Sequence, residues 1–444
     1  MEWQKYPILR LVMPIIIGMT VAFFLYENLG YQPFIILPLL IGLASGTVYA
    51  HIRNHKRAFV ILSSLTFLTF GYELTSRSIH NAHEEYGEEW TYELYKHNPF
   101  AIDKAHEVQK RLHDTYIEHN VIGEAGSVVE AMTIGWKKGL TKETKDVFSM
   151  AGLSHTLALS GFHITIVFLL LHYVFLGKIV THRWRIICNI LTVGCLWAYA
   201  FMAGMQPSLV RATIMCSIFV FTRSFGRRVT ALNSCLLTGL IMVIIEPLIL
   251  FHVGFQLSFS AVIGICALGD TLCKRTSIRL PRERTQVPLI RRLGVKLLNG
   301  TKDIVIISLA CNIFTIPIVA YTFHQIPLLS IISNLAATLL VSFLIVTSAV
   351  WWLTIWSATL SSIVQAILMW TASTVCGIAH TIASIPYSVY YCEPSLTECF
   401  LMYGVVITMT LAIRKHTPHR VMAFLIMVIA FCMVAIIRKM AAPL

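Results

Sequence analysis

Apolar and polar positions fall in long blocks along this chain. Apolar runs of helix-spanning length occupy about residues 8–25, 33–50 and 58–75. After a polar interval they resume at about 152–177, 186–203, 208–222, 231–250, 253–270, 303–321 and 328–356, and the last three lie near 362–384, 398–413 and 420–437. A helix needs about 20 apolar residues to cross hydrocarbon. The pattern therefore predicts an all-α, polytopic helical membrane protein with about 11–13 transmembrane helices, several of them short or broken. Composition agrees: 56% of the 444 residues are hydrophobic and 13% charged, where soluble domains carry about a quarter charged. Mean hydropathy is +0.71. A soluble class is excluded, and no stretch alternates like the strands of a β-barrel domain.

The blocks divide the chain into N-terminal membrane helices (1–75), a polar segment (76–147), a core of broken helices (148–360) and C-terminal membrane helices (361–444). Within the polar segment, "AIDKAHEVQKRLHDTYIEH" places Ile102, Ala105, Val108, Leu112 and Tyr116 in a sector of roughly 120° on a helix. That predicts an amphipathic helix lying on a surface. Residues 121–150 predict a further helical element, with Leu140-Thr141-Lys142-Glu143 as a helix start.

The net charge of +13 raises a nucleic-acid partner, but its distribution explains most of it. Arg53, Lys56 and Arg57 follow the second run; Lys178, Arg183 and Arg185 the fourth; Arg223, Arg227 and Arg228 the sixth; Arg414, Lys415 and Arg420 the twelfth. The stretch 273–302, after the eighth run, holds nine basic residues against Glu283. All are even-numbered loops, which the positive-inside rule places in the cytoplasm together with the N-terminus. Segment 76–147, with nine basic and thirteen acidic residues, then faces the periplasm or exterior. Only Arg438 and Lys439 break the pattern. The first run lacks a small-residue cleavage site and reads as a retained span. The eleven cysteines include no C-x-x-C pair; Cys392 and Cys399 could pair on an oxidising side.

A polar side chain in hydrocarbon costs several kcal/mol unless partnered. The stretch "AGLSHTLALSGFHI" (151–164) nonetheless carries His155, Ser160 and His163 at the start of a run. Read as one helix, the two histidines lie two turns apart near one face, with Ser160 beside them. Metal ligation would prefer an i, i+4 histidine spacing with carboxylates. A serine nucleophile with a histidine base would need a third orienting group. Interhelical hydrogen bonding and the lining of a wet path are the other readings. "GMQPSLVRA" (204–212) sets Gln206 and Pro207 before a run with Arg211 one turn inside, a helix start suited to anions. "IEPLILFHVGFQLSFSA" breaks a span at Glu246-Pro247 and carries His252, Gln256 and Ser258. "CNIFTIPIVAYTFHQIPLLSIISN" adds Asn312, Pro317, His324, Gln325, Pro327 and Asn334. Singly, each reads as a kink or packing bond; together, broken spans with polar residues favour a translocation path.

These stretches resemble a known family. "GLSHTLALSGFHI" resembles the His-Leu-Leu-Ala-Ile-Ser-Gly-Leu-His signature of the ComEC-type competence channel family, with Thr156 and Phe162 where leucines are usual. "GMQPSLVRATIM" is similar to its Gly-x-x-Pro-Ser-x-x-Arg-Ala stretch. "NSCLLTGLIMVIIEPLILFHVGFQLSFSAVIGI" and "PLLSIISNLAATLLVSFLI" are similar to its later blocks, in the same order over about residues 130–350. The resemblance implies an inner-membrane channel that passes single-stranded DNA into the bacterial cytoplasm during natural transformation. On that footing the expected path-lining residues are His155, Ser160, His163, Gln206, Arg211, Gln256, Ser258, Asn312 and Asn334, with Arg211 as a phosphate contact. Trp197, Tyr199, Phe201, Phe255 and Phe259 could offer faces on which bases slide.

Longer members carry an oligonucleotide-binding β-barrel and a metallo-β-lactamase-like domain. Segment 76–147 reads as helical, and no His-x-His-x-Asp-His motif occurs. The chain is thus expected to act as a channel without nuclease activity, with no catalytic residue, metal or cofactor. Its expected partners are single-stranded DNA, the lipid bilayer, a cytoplasmic ATP-driven translocase that could dock on 273–302, and a separate periplasmic DNA-binding protein and nuclease. Assembly as a homo-oligomer is left open. A secondary transporter of a smaller anionic or amphiphilic solute, and an intramembrane Ser/His hydrolase, are the alternatives.

Overall fold

The computed structural model describes residues 7–29, 31, 33–53, 55–86, 103–176, 182–224, 230–278, 289–414 and 417–441. Ile102, Lys178, Arg227, Arg228, Lys415 and the stretch 279–288 of the basic loop, Glu283 included, lie outside the described residues, as does 87–102 of the polar segment.

In chain order the helices begin with α1 (Pro7–Leu29), α2 (Pro33–Ile52) and α3 (Lys56–Tyr86), then α4 (Asp103–Glu118), α5 (Gly123–Thr133) and α6 (Lys142–Met150). There follow α7 (Ser154–Leu157), α8 (Gly161–Leu176), α9 (His182–Met202), α10 (Pro207–Ser224) and α11 (Ala231–Ile245). After a 3-10 turn (Pro247–Phe251) come α12 (Val253–Gly264), a π-helical turn (Ile265–Gly269), α13 (Asp270–Thr276) and α14 (Leu289–Phe323). Strand β1 (Gln325–Pro327), helices α15 (Ser330–Thr354) and α16 (Ala358–Ala383), β2 (Val389–Tyr391), α17 (Leu396–Arg414) and α18 (Pro418–Ala441) complete it. Among the described residues nine helices are long and apolar enough to cross a membrane, and three shorter apolar ones accompany them. Their outer faces carry large exposed apolar side chains such as Leu339, Leu353, Ile363 and Phe400, surface that hydrocarbon and not water would cover. The protein is a polytopic helical membrane protein.

The chain forms two compact units, one of Met1–Pro99 with Ile214–Gln256, the other of Phe100–Thr213 with Leu257–Leu444. In the first, α1 packs along α3 through Gly18 and Gly71. A Cβ at either glycine would fall on a backbone carbonyl of the facing helix, of Leu68 or Ile15 respectively. Small residues permit this approach where helices lack a hydrophobic drive to associate. Tyr31 donates to Glu73 Oε1 at 2.8 Å, and Phe23 stacks on Phe251 with centroids 3.9 Å apart. The expected break at Glu246-Pro247 is present, because Pro247 opens the 3-10 turn where α11 stops.

In the second unit α15 and α16 form a hairpin against which α5 and α6 pack. The amphipathic stripe of α4 faces protein and not a surface, correcting the expectation from periodicity. Ala105 and Tyr116 are fully buried, and Gln109 between them is buried too. Tyr116 lies 4.9 Å from Trp351 in a stacked arrangement. Its hydroxyl accepts from Trp352 Nε1 at 2.9 Å and lies within 3.1 Å of the Thr133 and 3.0 Å of the Ser348 hydroxyls. Gln365 of α16 donates to the His119 carbonyl at 2.7 Å. The helix start expected at Thr141 is present, its hydroxyl accepting from the Thr144 N–H at 3.1 Å.

Strands β1 and β2 pair antiparallel, Gln325 opposite Tyr391, and tie the loop after α14 to the loop after α16. Cys392 and Cys399 are free thiols; Cys399 is buried and its Sγ donates to the Pro317 carbonyl at 3.5 Å. Arg438, which breaks the charge pattern, donates to Glu398 at 2.6 Å. Glu398 in turn accepts from the Ser395 N–H at 2.6 Å while the Glu398 N–H reaches Ser395 Oγ, the reciprocal arrangement of a capping box.

Glu130 of α5 is buried, with Oε2 2.7 Å from His113 Nδ1. Burial pushes its carboxyl above the usual carboxylate range, and the contact with His113 opposes that rise. A carboxyl raised in the folded state stabilises the fold fully below its unfolded pKa and loses that contribution as pH rises through the folded value. The thermal stability of the purified protein, measured relative to Glu130→Gln, should therefore fall as pH rises from acid towards neutral. A difference that is constant with pH would contradict this.

Candidate functional site

Residues 149–163 lie between two other polar stretches of the second unit. The single helix expected over 152–177 is interrupted. Helix α6 ends at Met150, Gly152 adopts φ +75°, one turn of helix follows as α7, and α8 begins at Gly161. A positive φ suits glycine because it has no Cβ to clash. Here the absent Cβ matters twice, since one at Gly152 would stand 2.7 Å from Ser330 Cβ and 3.1 Å from Ser330 Cα. The turn is held by hydrogen bonds from the same region: Gln325 donates to Ser149 Oγ at 2.6 Å, and Ser333 Oγ donates to the Ala151 carbonyl at 2.6 Å. Asn312 of α14 donates to Ser330 Oγ at 2.9 Å. The far end of the stretch is held by the α9–α10 region. Ser208 Oγ donates to the Leu159 carbonyl at 2.5 Å, and a Cβ at Gly161 would touch Ala212 Cβ at 3.4 Å.

The break places the two histidines on different helices. His155 is exposed on α7, whereas His163 is fully buried in the first turn of α8. They do not share one helical face. The Ser160 N–H donates to His163 Nδ1 at 3.2 Å, and the Ser160 hydroxyl donates to the same nitrogen at 3.0 Å. Two donors at Nδ1 require that nitrogen to be unprotonated, so the neutral ring carries its proton on Nε2. The bond from the Ser160 N–H is one half of a capping box, with imidazole in the place of the usual carboxylate, while the His163 N–H donates to the Ser160 carbonyl at 3.1 Å. Nε2 is buried and, among the described residues, no group hydrogen-bonds to it, so none of them orients the ring as a general base would need. Among the described residues no three His, Cys, Asp or Glu side chains gather as a metal-holding group.

The remaining expected residues divide. Arg211 is 3% exposed, just past the first turn of α10. Gln206 donates to the Gly135 carbonyl at 2.9 Å and clamps the loop after α5. Asn334 of α15 has a buried Oδ1 that meets no hydrogen-bond donor among the described residues. Ser258 is half-buried on α12. Gln256 belongs to the first unit, where its amide donates to the Leu250 carbonyl at 3.2 Å and closes the 3-10 turn. Gln325 was among the polar residues expected at a span break, but its contact with Ser149 was not foreseen, and sequence reasoning did not single out Ser149, Ser208 and Ser333. Ser208 and Ser333 stand inside quoted motifs, as the Ser of "QPSLVRA" and the second Ser of "SIISN".

The fold and site thus define a multi-pass membrane protein in which interrupted helices and a short strand pair converge on one polar stretch. The family model described as competence protein matches residues 132–416, and the chain belongs to the competence protein family. It is 24% identical over 303 residues to ComE operon protein 3 of Bacillus subtilis (strain 168), covering 67% of this chain and 36% of that protein. Over 132 residues it is 33% identical to an uncharacterized protein of Aquifex aeolicus (strain VF5), 29% of this chain and 30% of the other. Over 225 residues it is 25% identical to the uncharacterized protein YcaI of Escherichia coli (strain K12), covering 50% and 28%. The chain spans about a third of the length of these relatives. No solved structure matches.

Proposed function

We propose that this chain forms the passage by which single-stranded DNA crosses the bacterial inner membrane into the cytoplasm during natural transformation, with residues 148–360 as the conduit core. The observation that carries the reading is that His163 and Asn334 of the second unit each bury a polar atom for which the described residues offer no hydrogen-bond partner. His163 Nε2–H is a buried donor and Asn334 Oδ1 a buried acceptor. Each would cost a few kcal/mol in a dry interior, so both call for water or a polar solute. Arg211, buried in the same unit, supplies the fixed positive charge that a phosphate backbone needs. A cytoplasmic ATP-driven translocase would draw the strand, and separate periplasmic proteins would receive the duplex and degrade the other strand. Membership of the competence family and the likeness to ComE operon protein 3 support a role in competence.

Transformation frequency in a strain lacking the gene, complemented with variants matched for membrane abundance, tests this. Arg211→Ala should lower it by about tenfold or more, the worth of a charged hydrogen bond. Arg211→Lys should retain part of the activity, because a point charge still meets a phosphate. Wild-type frequency in Arg211→Ala would remove the phosphate-contact role.

A further inference from the structure

We propose that Trp136, with His113 and Lys138, forms a stacking platform that receives bases of the incoming single strand beside the conduit. The inference rests on the DNA-passage reading and adds to it a binding site on a loop outside the spans. The loop Ile134–Gly139 joins α5 to α6 and is fixed by its surroundings. Gln109 donates to the Ile134 carbonyl at 2.8 Å, Gln206 to the Gly135 carbonyl at 2.9 Å, and the Trp136 N–H to the Glu130 carbonyl at 3.3 Å. A loop held this way loses little freedom when a ligand arrives.

The half-buried indole of Trp136 has polar company on its faces. The His113 imidazole stacks on it, centroids 4.5 Å apart and planes 22° from parallel, and Glu130 holds that imidazole at 2.7 Å. A nearly parallel imidazole covers one face, the Lys138 ammonium stands over the ring at 5.1 Å, and part of the indole packs against the hydrophobic core. Lys138 is exposed, and a lysine ammonium sits on a long, rotatable stem. A base can displace it from the ring, and the freed ammonium can then meet the neighbouring phosphate. Lys137, Lys142 and Lys145 are exposed within the same ten residues. Aromatic faces beside a cationic track bind single strands with little regard for sequence, because every base has a π-face. Trp and Lys also mark lipid interfaces. There the ring lies among headgroups and acyl chains, whereas here an anchored imidazole and an ammonium stand over it, which is the setting for stacking.

The test is anisotropy of a labelled oligothymidine with the full-length protein in zwitterionic nanodiscs, alongside an abasic strand of equal length. The wild-type protein should bind the oligothymidine more tightly than the abasic strand. Trp136→Ala should weaken oligothymidine binding by about tenfold and leave abasic binding nearly unchanged, while Trp136→Phe should retain most of the affinity. Equal oligothymidine affinity in wild type and Trp136→Ala would overturn the platform and leave the passage reading standing. Equal weakening of both strands would also overturn it, by marking a structural role. A Trp136→Ala effect confined to anionic nanodiscs would assign the loop to the lipid interface instead. Failure of the wild-type protein to bind either strand would count against the platform and the passage reading together.

Discussion

Gly152→Val is expected to destabilise the folded protein by about 2–5 kcal/mol and to strip it of transformation activity. Two costs combine. A β-branched residue at φ +75° strains the backbone by about 1–2 kcal/mol. Its Cβ would also press on Ser330 at 2.7 Å, and forced overpacking costs about 1–3 kcal/mol. Ser330 Cα and Cβ cannot swing aside, since Ser330 begins α15 and its hydroxyl accepts from Asn312. Gly123→Ala separates the two costs. Gly123 has φ +81° but open space around it, so only the backbone cost remains, about 1 kcal/mol. Thermal unfolding in detergent should rank wild type above Gly123→Ala, and that well above Gly152→Val. Similar losses for the two variants would mean that the packing of Gly152 on Ser330 contributes little.

Tyr116→Ala is the second large expected effect, about 3–5 kcal/mol. The residue is fully buried and stacked on Trp351. Its loss leaves a cavity and takes the acceptor from Trp352 Nε1. Tyr116→Phe keeps the ring and removes only the hydroxyl, for about 1–3 kcal/mol, because a buried donor is left unmet. The same unfolding measurement should place Phe between wild type and Ala. If both variants unfold with the wild type, α4 is not anchored to the α15–α16 hairpin as described.

Tyr116 also shows what the sequence could and could not reveal. Its place in an apolar stripe was legible from a period of 3.6, and α4 is a helix. Periodicity says that a face is covered but not what covers it, so a surface-lying helix and a helix packed on a bundle look alike. The spans were legible for the same reason, as were the break at Pro247 and the cap at Thr141, where local chemistry decides the backbone. The interruption after Gly152 was legible only as one of two alternatives, since Gly152 and Gly161 permit either a close helix approach or a local break. Residues 158–160 are apolar enough to continue a helix, and the break is stabilised by Ser208, Gln325 and Ser333, which stand far away in sequence. Hydrogen bonds from side chains to distant backbone carbonyls leave no periodic trace. The family motifs nevertheless marked the place: one of the four quoted stretches covers most of it, and two others carry Ser208, Ser330 and Ser333, which bracket it. Arg438, an exception to the charge pattern, is explained only by Glu398, forty residues earlier.

The central claim is that this chain carries DNA across the inner membrane, and the most direct measurement follows labelled duplex DNA in cells lacking the gene. The periplasmic and cytoplasmic pools are separated and counted, with the wild-type gene or His163→Ala restored. The account predicts label held in the periplasm of the deletion strain, release to the cytoplasm with the wild-type gene, and poor release with His163→Ala at equal protein abundance. Cytoplasmic label undiminished by the deletion would contradict it.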